Sequence, residues 1–443
     1  MNLKDKLKLK LAVVITAGII LPNILYSQNI TNTLGITGSF KIKDGAATFF
    51  TLTQSNGYVE LSKSLKLPAT TDLNTGVIYK GTERFIHDYK PPSNIGENTF
   101  VGINSGNFTM SSATSTHASR NSAFGFNTLN KNTSGYHNCA FGNNSLFNNT
   151  TGFQNSAFGN SSLYNNIDGK GNTAIGTLAM FTNSSGYYNT AVGFEALYSN
   201  TTGYSNVAIG TDALFSNVDG GENTAIGRTS LSENTSGYRN TALGYGSLTN
   251  VSIGNHITAI GYNSGSNVTT GFNLTLIGNG ALASSSGAQN QITLGNFQIT
   301  SLRCNVQTIT SLSDVRDKKN IADIPIGINF IMNIKPRIFN WDRREWYDNN
   351  VSDGSKMDSV PTAGFVAQEL DEVQNQYNAG WLKLVMKDNP EKWEATYGNL
   401  LPVMVKAIQE LNEEIKNLKI KNQNLQERLA KLEEVNNQIT NNK

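Results

Sequence analysis

A unit of 17 residues repeats eleven times between Asn121 and Gly295, and its period never slips. The unit reads Asn-x-Ala-(Phe/Ile/Val/Leu)-Gly-x-x-(Ala/Ser)-Leu-aromatic-x-Asn-Thr-x-Gly-Tyr-x. Copies start at Asn121, Asn138, Asn155, Asn172, Asn189, Asn206, Asn223 and Asn240, and three worn copies follow at Ile257, Leu274 and Gln291. A strict short period marks a solenoid, because each unit is too small to bury its own apolar face and must stack on the next. The middle of the chain is therefore expected to be a rod, and any catalysis is expected outside it.

Inside the unit, Asn-Thr-Ala-Ile-Gly reads as a short strand. Position 3 is Ala in the first nine copies (Ala123 to Ala259), position 4 is always Phe, Ile, Val or Leu, and position 5 is Gly in all eleven. Small and large side chains in fixed columns predict a narrow β core that turns tightly at the glycine. Positions 9 and 10 (Leu146-Phe147, Leu163-Tyr164, Leu197-Tyr198) predict a second strand. Asn-Thr-x-Gly predicts a return turn in which Gly supplies φ > 0. Such a coil is thin, so the Leu-aromatic column is expected to be covered by three chains side by side. A hexapeptide-type left-handed helix would need about three aliphatic-Gly steps per coil, and one is present.

Three surface columns suggest ligands. Aromatics at position 16 (Tyr136, Phe153, Tyr187, Tyr204, Tyr238, Phe272) suit either sugar stacking or packing beside the turn, and packing is favoured. Threonines at position 2 (Thr173, Thr190, Thr224) suit an ice-binding face or an ordinary sheet surface, and the surface is favoured. Asp168 and Asp219 precede Gly in two turns, but isolated carboxylates cannot supply the roughly six to eight oxygens a calcium ion takes. No metal and no cofactor is expected.

Charge excludes some partners. Across 443 residues, 35 Lys+Arg nearly balance 33 Asp+Glu, which leaves no basic footprint for nucleic acid. Lys4, Lys6, Lys8 and Lys10 precede an apolar run from Leu11 to Leu25, and Tyr26-Ser27-Gln28 follows. That is the pattern of a signal peptide cut after Ser27, with an apolar run short for a bilayer span of about 20 residues. The expectation is a secreted or cell-surface protein with no membrane span once the signal is removed. Cys139 and Cys304 stand too far apart along a rod to pair. Residues 28–97 read as a β-rich head, with strands at Ser39–Lys43 and Thr48–Leu52 around an Asp44-Gly45 turn, and a hairpin of Gly76–Tyr79 and Arg84–His87 around Lys80-Gly81.

The repeats resemble the head repeats of trimeric autotransporter adhesins, whose unit Asn-Ser-Val-Ala-Ile-Gly plus a turn is slightly shorter. Over residues 98–295 that resemblance implies a trimeric, left-handed parallel β-roll. The membrane-anchor barrel of that family is absent from the sequence.

After Thr300 the composition shifts to charged residues, Trp and aliphatic side chains. Ser313-Asp314-Val315-Arg316-Asp317-Lys318-Lys319-Asn320-Ile321 opens this part. Ile334-Lys335-Pro336, Phe339-Asn340-Trp341 and Gly364-Phe365-Val366-Ala367-Gln368-Glu369-Leu370 follow, and Leu400–Leu411 leads into the tail. This order, over about 313–412, resembles the C-terminal intramolecular chaperone of endosialidase tailspikes, a self-cleaving serine peptidase family. The resemblance implies a trimer-forming domain that folds the fibre before it and then severs itself in a single turnover, with no external substrate. It assigns the nucleophile to Ser313, the base to Lys318 and the scissile bond to Leu312–Ser313. A hydroxyl needs a base, and a desolvated lysine can serve. An offset of five residues fits neither one helix face nor one strand face, so a bend or a neighbouring chain must bring the pair together. Taken alone, Ser-x-x-x-x-Lys would read as a solvated turn. None of the four histidines lies beyond residue 256, which argues against a Ser-His triad here.

From Leu401 a heptad seam runs through Leu401, Ile408, Ile415, Asn422, Leu429 and Asn436 at a, with Met404, Leu411, Leu418, Leu425, Leu432 and Ile439 at d. Ile at a with Leu at d favours two strands, whereas the resemblance implies three, and three is the expectation. The fold class expected is mostly β: a parallel β-roll or solenoid of 17-residue repeats, then a small α+β chaperone domain and a C-terminal coiled coil. The expected segments are 1–27 signal, 28–97 head, 98–300 repeats, 301–312 neck, 313–400 chaperone and 401–443 coiled coil. The function expected is that of a homotrimeric, secreted, fibre-like adhesin or appendage, with a surface glycan or another cell-surface ligand as candidate partner. A tailspike-like glycan-degrading enzyme and an ice-binding surface protein are the alternatives, and the first lacks clustered carboxylates in the rod.

Overall fold

The computed structural model describes residues 39–44, 47–53, 58–61, 65–111, 114, 116–303, 305 and 313–441. The expected signal segment, Gly45, Cys304 and Leu312 lie outside the described residues. The chain forms two compact units divided at Pro68/Ala69. The first is an antiparallel meander of β1 (Ser39–Asp44), β2 (Ala47–Thr53) and β3 (Tyr58–Leu61). Its register sets Phe40 opposite Leu52 and Phe50 opposite Leu61.

The second unit begins with the hairpin β4 (Ile78–Lys80) and β5 (Glu83–His87). β5 pairs antiparallel with β6 (Thr99–Val101), and every later pairing in this sheet is parallel. The strands β7 (Ser122–Phe124) to β14 (Thr241–Leu243) contribute three residues per coil. β15 (Asn255–Ile260), β16 (Phe272–Ile277) and β17 (Gln289–Leu294) lengthen to six. Successive coils align residue for residue, Ala174 on Ala191 and Ile175 on Val192, so each repeat position becomes a column along a parallel β-solenoid. Thr99-Phe100-Val101-Gly102 is a further copy of the strand, hidden from the strict period because 23 residues separate Asn98 from Asn121.

Each coil closes its core within one chain. The position-3 alanines and the position-9 residues Leu129, Leu146, Leu163, Met180, Leu197, Leu214, Leu231 and Leu248 are fully buried. This corrects the expectation that neighbouring chains cover the leucines. The second strand is corrected as well. Positions 7 to 10 form a turn, with left-handed backbone at position 7 (Asn144, φ 55°) and at position 9 (Leu146, φ 50°). Such a leucine costs roughly 1–3 kcal/mol in backbone strain, and burying its side chain returns about 1.5–3 kcal/mol. The corner persists because it aims the leucine inward.

Two asparagine ladders complete the core. At position 1, Asn172 Oδ1 accepts the Asn189 backbone N–H at 3.0 Å, and Asn189 Nδ2 donates to Gly203 O at 2.7 Å. At position 12, Asn200 Nδ2 donates to Asn183 Oδ1 at 2.7 Å. Buried amides are tolerated because each is paired with the coil before or after it. The position-1 ladder ends cleanly, since Ile257 still gives its backbone N–H to Asn240 Oδ1. The position-12 ladder ends on Asn234 Oδ1, which has no partner because Val251 follows it in the column.

The glycines serve different ends from those expected. Position 5 has φ of 126–143° between Gly125 and Gly278, and a Cβ on Gly193 would stand 2.5 Å from Gly210 O. The position-15 glycines are not at positive φ. A Cβ on Gly186 would lie 2.2 Å from Asn183 Oδ1, so glycine is needed there for the ladder.

Beyond the rod, helix α1 (Ile328–Ile331), the β18 (Arg337–Phe339) and β19 (Thr362–Gly364) pair, helix α2 (Ala367–Gln376) and the β20 (Val385–Met386) and β21 (Glu394–Ala395) pair surround a core of Phe330, Leu370, Val373, Leu384, Leu400 and Val403. The last helix, α3 (Leu401–Asn441), starts inside this domain. Val403 and Ala407 face the core, and Glu410 Oε2 accepts the Ile328 backbone N–H at 2.8 Å, which caps α1. The a and d side chains, from Leu401 and Met404 to Ile439, are exposed. Among the described residues no helix is long and apolar enough to cross a membrane.

Candidate functional site

Ser313 and Lys318 flank a single 3-10 turn, Val315–Asp317. Asp314 caps it: one carboxylate oxygen accepts the Arg316 backbone N–H at 2.8 Å and the other the Arg316 guanidinium at 2.6 Å. Lys318 closes the turn with its backbone N–H on Val315 O at 3.1 Å. The turn folds the five-residue offset back on itself, so that Lys318 Nζ donates a hydrogen bond to Ser313 Oγ. The bend that the spacing required therefore lies within one chain. Arg316 holds the Asp314 carboxyl below its ordinary range, through the guanidinium first and the backbone N–H second.

Ser313 through Asn320 are all exposed. Among the described residues, the side chains of Ser313, Asp314, Arg316 and Lys318 form their hydrogen bonds within this turn. A lysine works as a base only where water is excluded from it, and the folded single chain leaves this pair in solvent.

The rest of the domain is tied together by polar contacts. Arg337 grips Glu369 with two hydrogen bonds, Nε to Oε2 at 2.9 Å and Nη2 to Oε1, which joins β18 to α2. Asp371 is buried, which by itself would raise its pKa. Lys387 Nζ at 2.6 Å and the amides of Gln374 and Asn375 outweigh burial and hold it below the ordinary carboxylate value. Tyr397 sets its ring edge-on to Phe365 and its hydroxyl on the Phe365 backbone, which fixes the Gly364–Leu370 segment against the start of α3. Phe339, Trp341, Phe365, Trp393 and Tyr397 border an open hollow of about 910 Å³, with Arg343 lying over Trp341 at 4.4 Å. The sequence reading missed this hollow, because its aromatics come from four separate segments with no shared spacing. Asp388 Oδ2 meets the last coil of the rod, accepting from Gln291 Nε2 at 3.0 Å and from Ser284 Oγ at 3.4 Å.

Residues 313–378 match the family described as chaperone of endosialidase, and the match begins at Ser313. No curated protein and no solved structure matches the chain.

Proposed function

We propose that this is a secreted, trimeric, fibre-like surface protein whose C-terminal domain drives assembly and folding of the rod and then cuts the Leu312–Ser313 bond. The observation that carries the reading is that the matched segment opens at Ser313, with Lys318 Nζ bonded to its hydroxyl. In the proposed reaction Lys318, once dried by neighbouring chains, takes the proton from Ser313 Oγ. The oxygen attacks the Leu312 carbonyl carbon, and the C–N bond breaks as the Ser313 nitrogen takes up the proton. The acyl group then rests on Ser313 Oγ as an ester, which water hydrolyses to a free carboxylate and the original serine. Because the single chain leaves the pair in water, cutting would wait for assembly.

Two unpartnered surfaces support association of chains. The α3 seam exposes its a and d residues. On the rod, position 4 presents an unbroken column of large apolar side chains from Phe124 to Leu294, with Ile175 still 43% exposed. A parallel sheet normally has both faces covered, and here the alanine face is covered by the coil itself.

The test compares the chain from residue 28 with its Ser313→Ala and Lys318→Met variants on denaturing gels with intact mass. Release of a fragment beginning at Ser313 from the unaltered chain only would support the dyad. If all three stay full length while trimeric, Ser313 is structural and the domain is a permanent trimerisation cap.

A further inference from the structure

The position-16 aromatics do not offer a continuous stacking stripe, since they cover one another. His117 lies flat on Tyr136 at 5.1 Å, Tyr136 on Phe153 at 4.8 Å and Tyr187 on Tyr204 at 5.4 Å. The pile breaks at Lys170. Its ammonium sits 5.9 Å from the Phe153 ring centre and 5.8 Å from that of Tyr187, so two ring faces turn toward a slot that holds one cation. Beside this column runs position 14, which offers the hydroxyls of Ser134, Thr151 and Ser185, with the exposed carboxylate of Asp168 on the same coil as Lys170. The two columns wall a groove of about 520 Å³ along the rod. With coils spaced at the usual strand separation, it spans about 14 Å from Tyr136 to Tyr187.

Charge is rare on the rod. Between Asn121 and Gly295 only ten residues are Asp, Glu, Lys or Arg (Lys131, Asp168, Lys170, Glu195, Asp212, Asp219, Glu222, Arg228, Glu233 and Arg239). Asp168 and Lys170 share one coil and one groove, and neither belongs to an ion pair of the described residues. Over that span position 14 is otherwise Ser or Thr except at Asp219, Ile253 and Gly287, and position 16 is otherwise aromatic except at Gly221, Asn255 and Gln289. Lys170 is thus the one cation in its column and Asp168 the carboxylate beside it, at the first opening of the ring pile.

We infer that this groove binds a linear oligosaccharide lying along the rod, with Lys170 and Asp168 as its polar anchors. The ring edges and the methylene stem of Lys170 meet the C–H faces of the sugars, while the carboxylate, the ammonium and the hydroxyls fix their hydroxyl groups. A peptide strand would find the position-14 N–H groups and the position-16 carbonyls already spent between coils. Asp168 N–H donates to Ser184 O, Thr151 N–H to Ile167 O and Tyr188 N–H to Lys170 O.

The test uses the full chain bearing Ser313→Ala, so that its outcome does not depend on cleavage. It is probed on an array of linear oligosaccharides, neutral, uronate-bearing and sialylated, with affinities for the hits then measured by calorimetry. Two variants return the coil to its own repeat pattern, Lys170→Tyr and Asp168→Ser, and are expected to leave thermal stability unchanged. Each is expected to weaken binding tenfold or more, and Lys170→Tyr closes the slot. An array with no hit, or hits whose affinity both variants leave intact, overturns the inference. So does binding of unglycosylated peptides that the two variants weaken equally.

Discussion

Replacing Asn189 by alanine tests whether the buried amide ladder holds the coils together. Asn189 Oδ1 accepts the Asn206 backbone N–H at 2.9 Å and Asn206 Nδ2 at 3.1 Å, and Asn189 Nδ2 donates to Gly203 O at 2.7 Å. After truncation Gly203 O keeps Asn200 Nδ2 at 3.3 Å, and Asn206 Nδ2 keeps Gly220 O at 2.8 Å. One group is orphaned outright, the Asn206 N–H, in a site that is fully buried. An orphaned buried donor together with the cavity left by the amide is worth about 2–4 kcal/mol. For a unit of some 150–250 residues that lowers Tm by roughly 4–16 °C. Thermal melts followed by circular dichroism read the global effect, and hydrogen exchange at the Asn206 amide reads the local one. Asn143→Ala, at an exposed position of the same repeat pattern, is the control. If Asn189→Ala melts within a degree of that control and the Asn206 amide stays protected, the ladder is not what fixes the coils.

Gly193→Ala should prevent soluble expression of the rod, since its methyl would meet Gly210 O at 2.5 Å, while Gly380→Ala, which meets nothing within 4 Å, should stay within about 0.5 kcal/mol of the parent. His87 is buried between Phe100 and Phe108, with Nε2 on Ser105 O at 2.7 Å; burial pushes its pKa down to about 4, despite that hydrogen bond and with help from the Arg84 charge. Because the unfolded chain takes up this proton near pH 6.5, the stability owed to neutral His87 is whole above that pH. It falls by about 3 kcal/mol as pH drops to 4. Hydrogen exchange of β5 and β6 at pH 7 and pH 4.5 should show that loss, and His87→Phe should remove the pH dependence. Ile415→Asp with Leu418→Asp, both exposed on α3, should lower the mass seen by light scattering while the aromatic circular dichroism of the C-terminal domain persists.

The rod was legible because its information is columnar. Ala at position 3 and Gly at position 5 recur in register, and a residue that must meet its own copy 17 positions on leaves its identity in the period. The misreadings arose where hydrophobicity looks alike in two backbones. Leu-aromatic reads as a strand, yet at positions 9 and 10 it sits at a left-handed corner, since the Leu146 side chain reaches the core only from there. The position-15 glycine reads as a φ > 0 residue, and its real constraint is the amide packed against it. The copy at Asn98 was lost because an insertion shifted it out of the period, although Asn98 Oδ1 still accepts the Asn121 N–H. Near Ser313 the spacing demanded a bend and nothing more; the Asp314 cap and the 3-10 turn supply it.

The sequence by itself determined that the chain stacks, where each coil begins, which columns are small and where the heptad seam runs, because those depend on period and side-chain size. Only the tertiary structure decided that two asparagine ladders fill the core, that the leucines need no neighbouring chain, and that the ring pile opens at Lys170. Each of these depends on which group of the next coil lies within hydrogen-bond or van der Waals reach, a distance that a linear pattern does not carry.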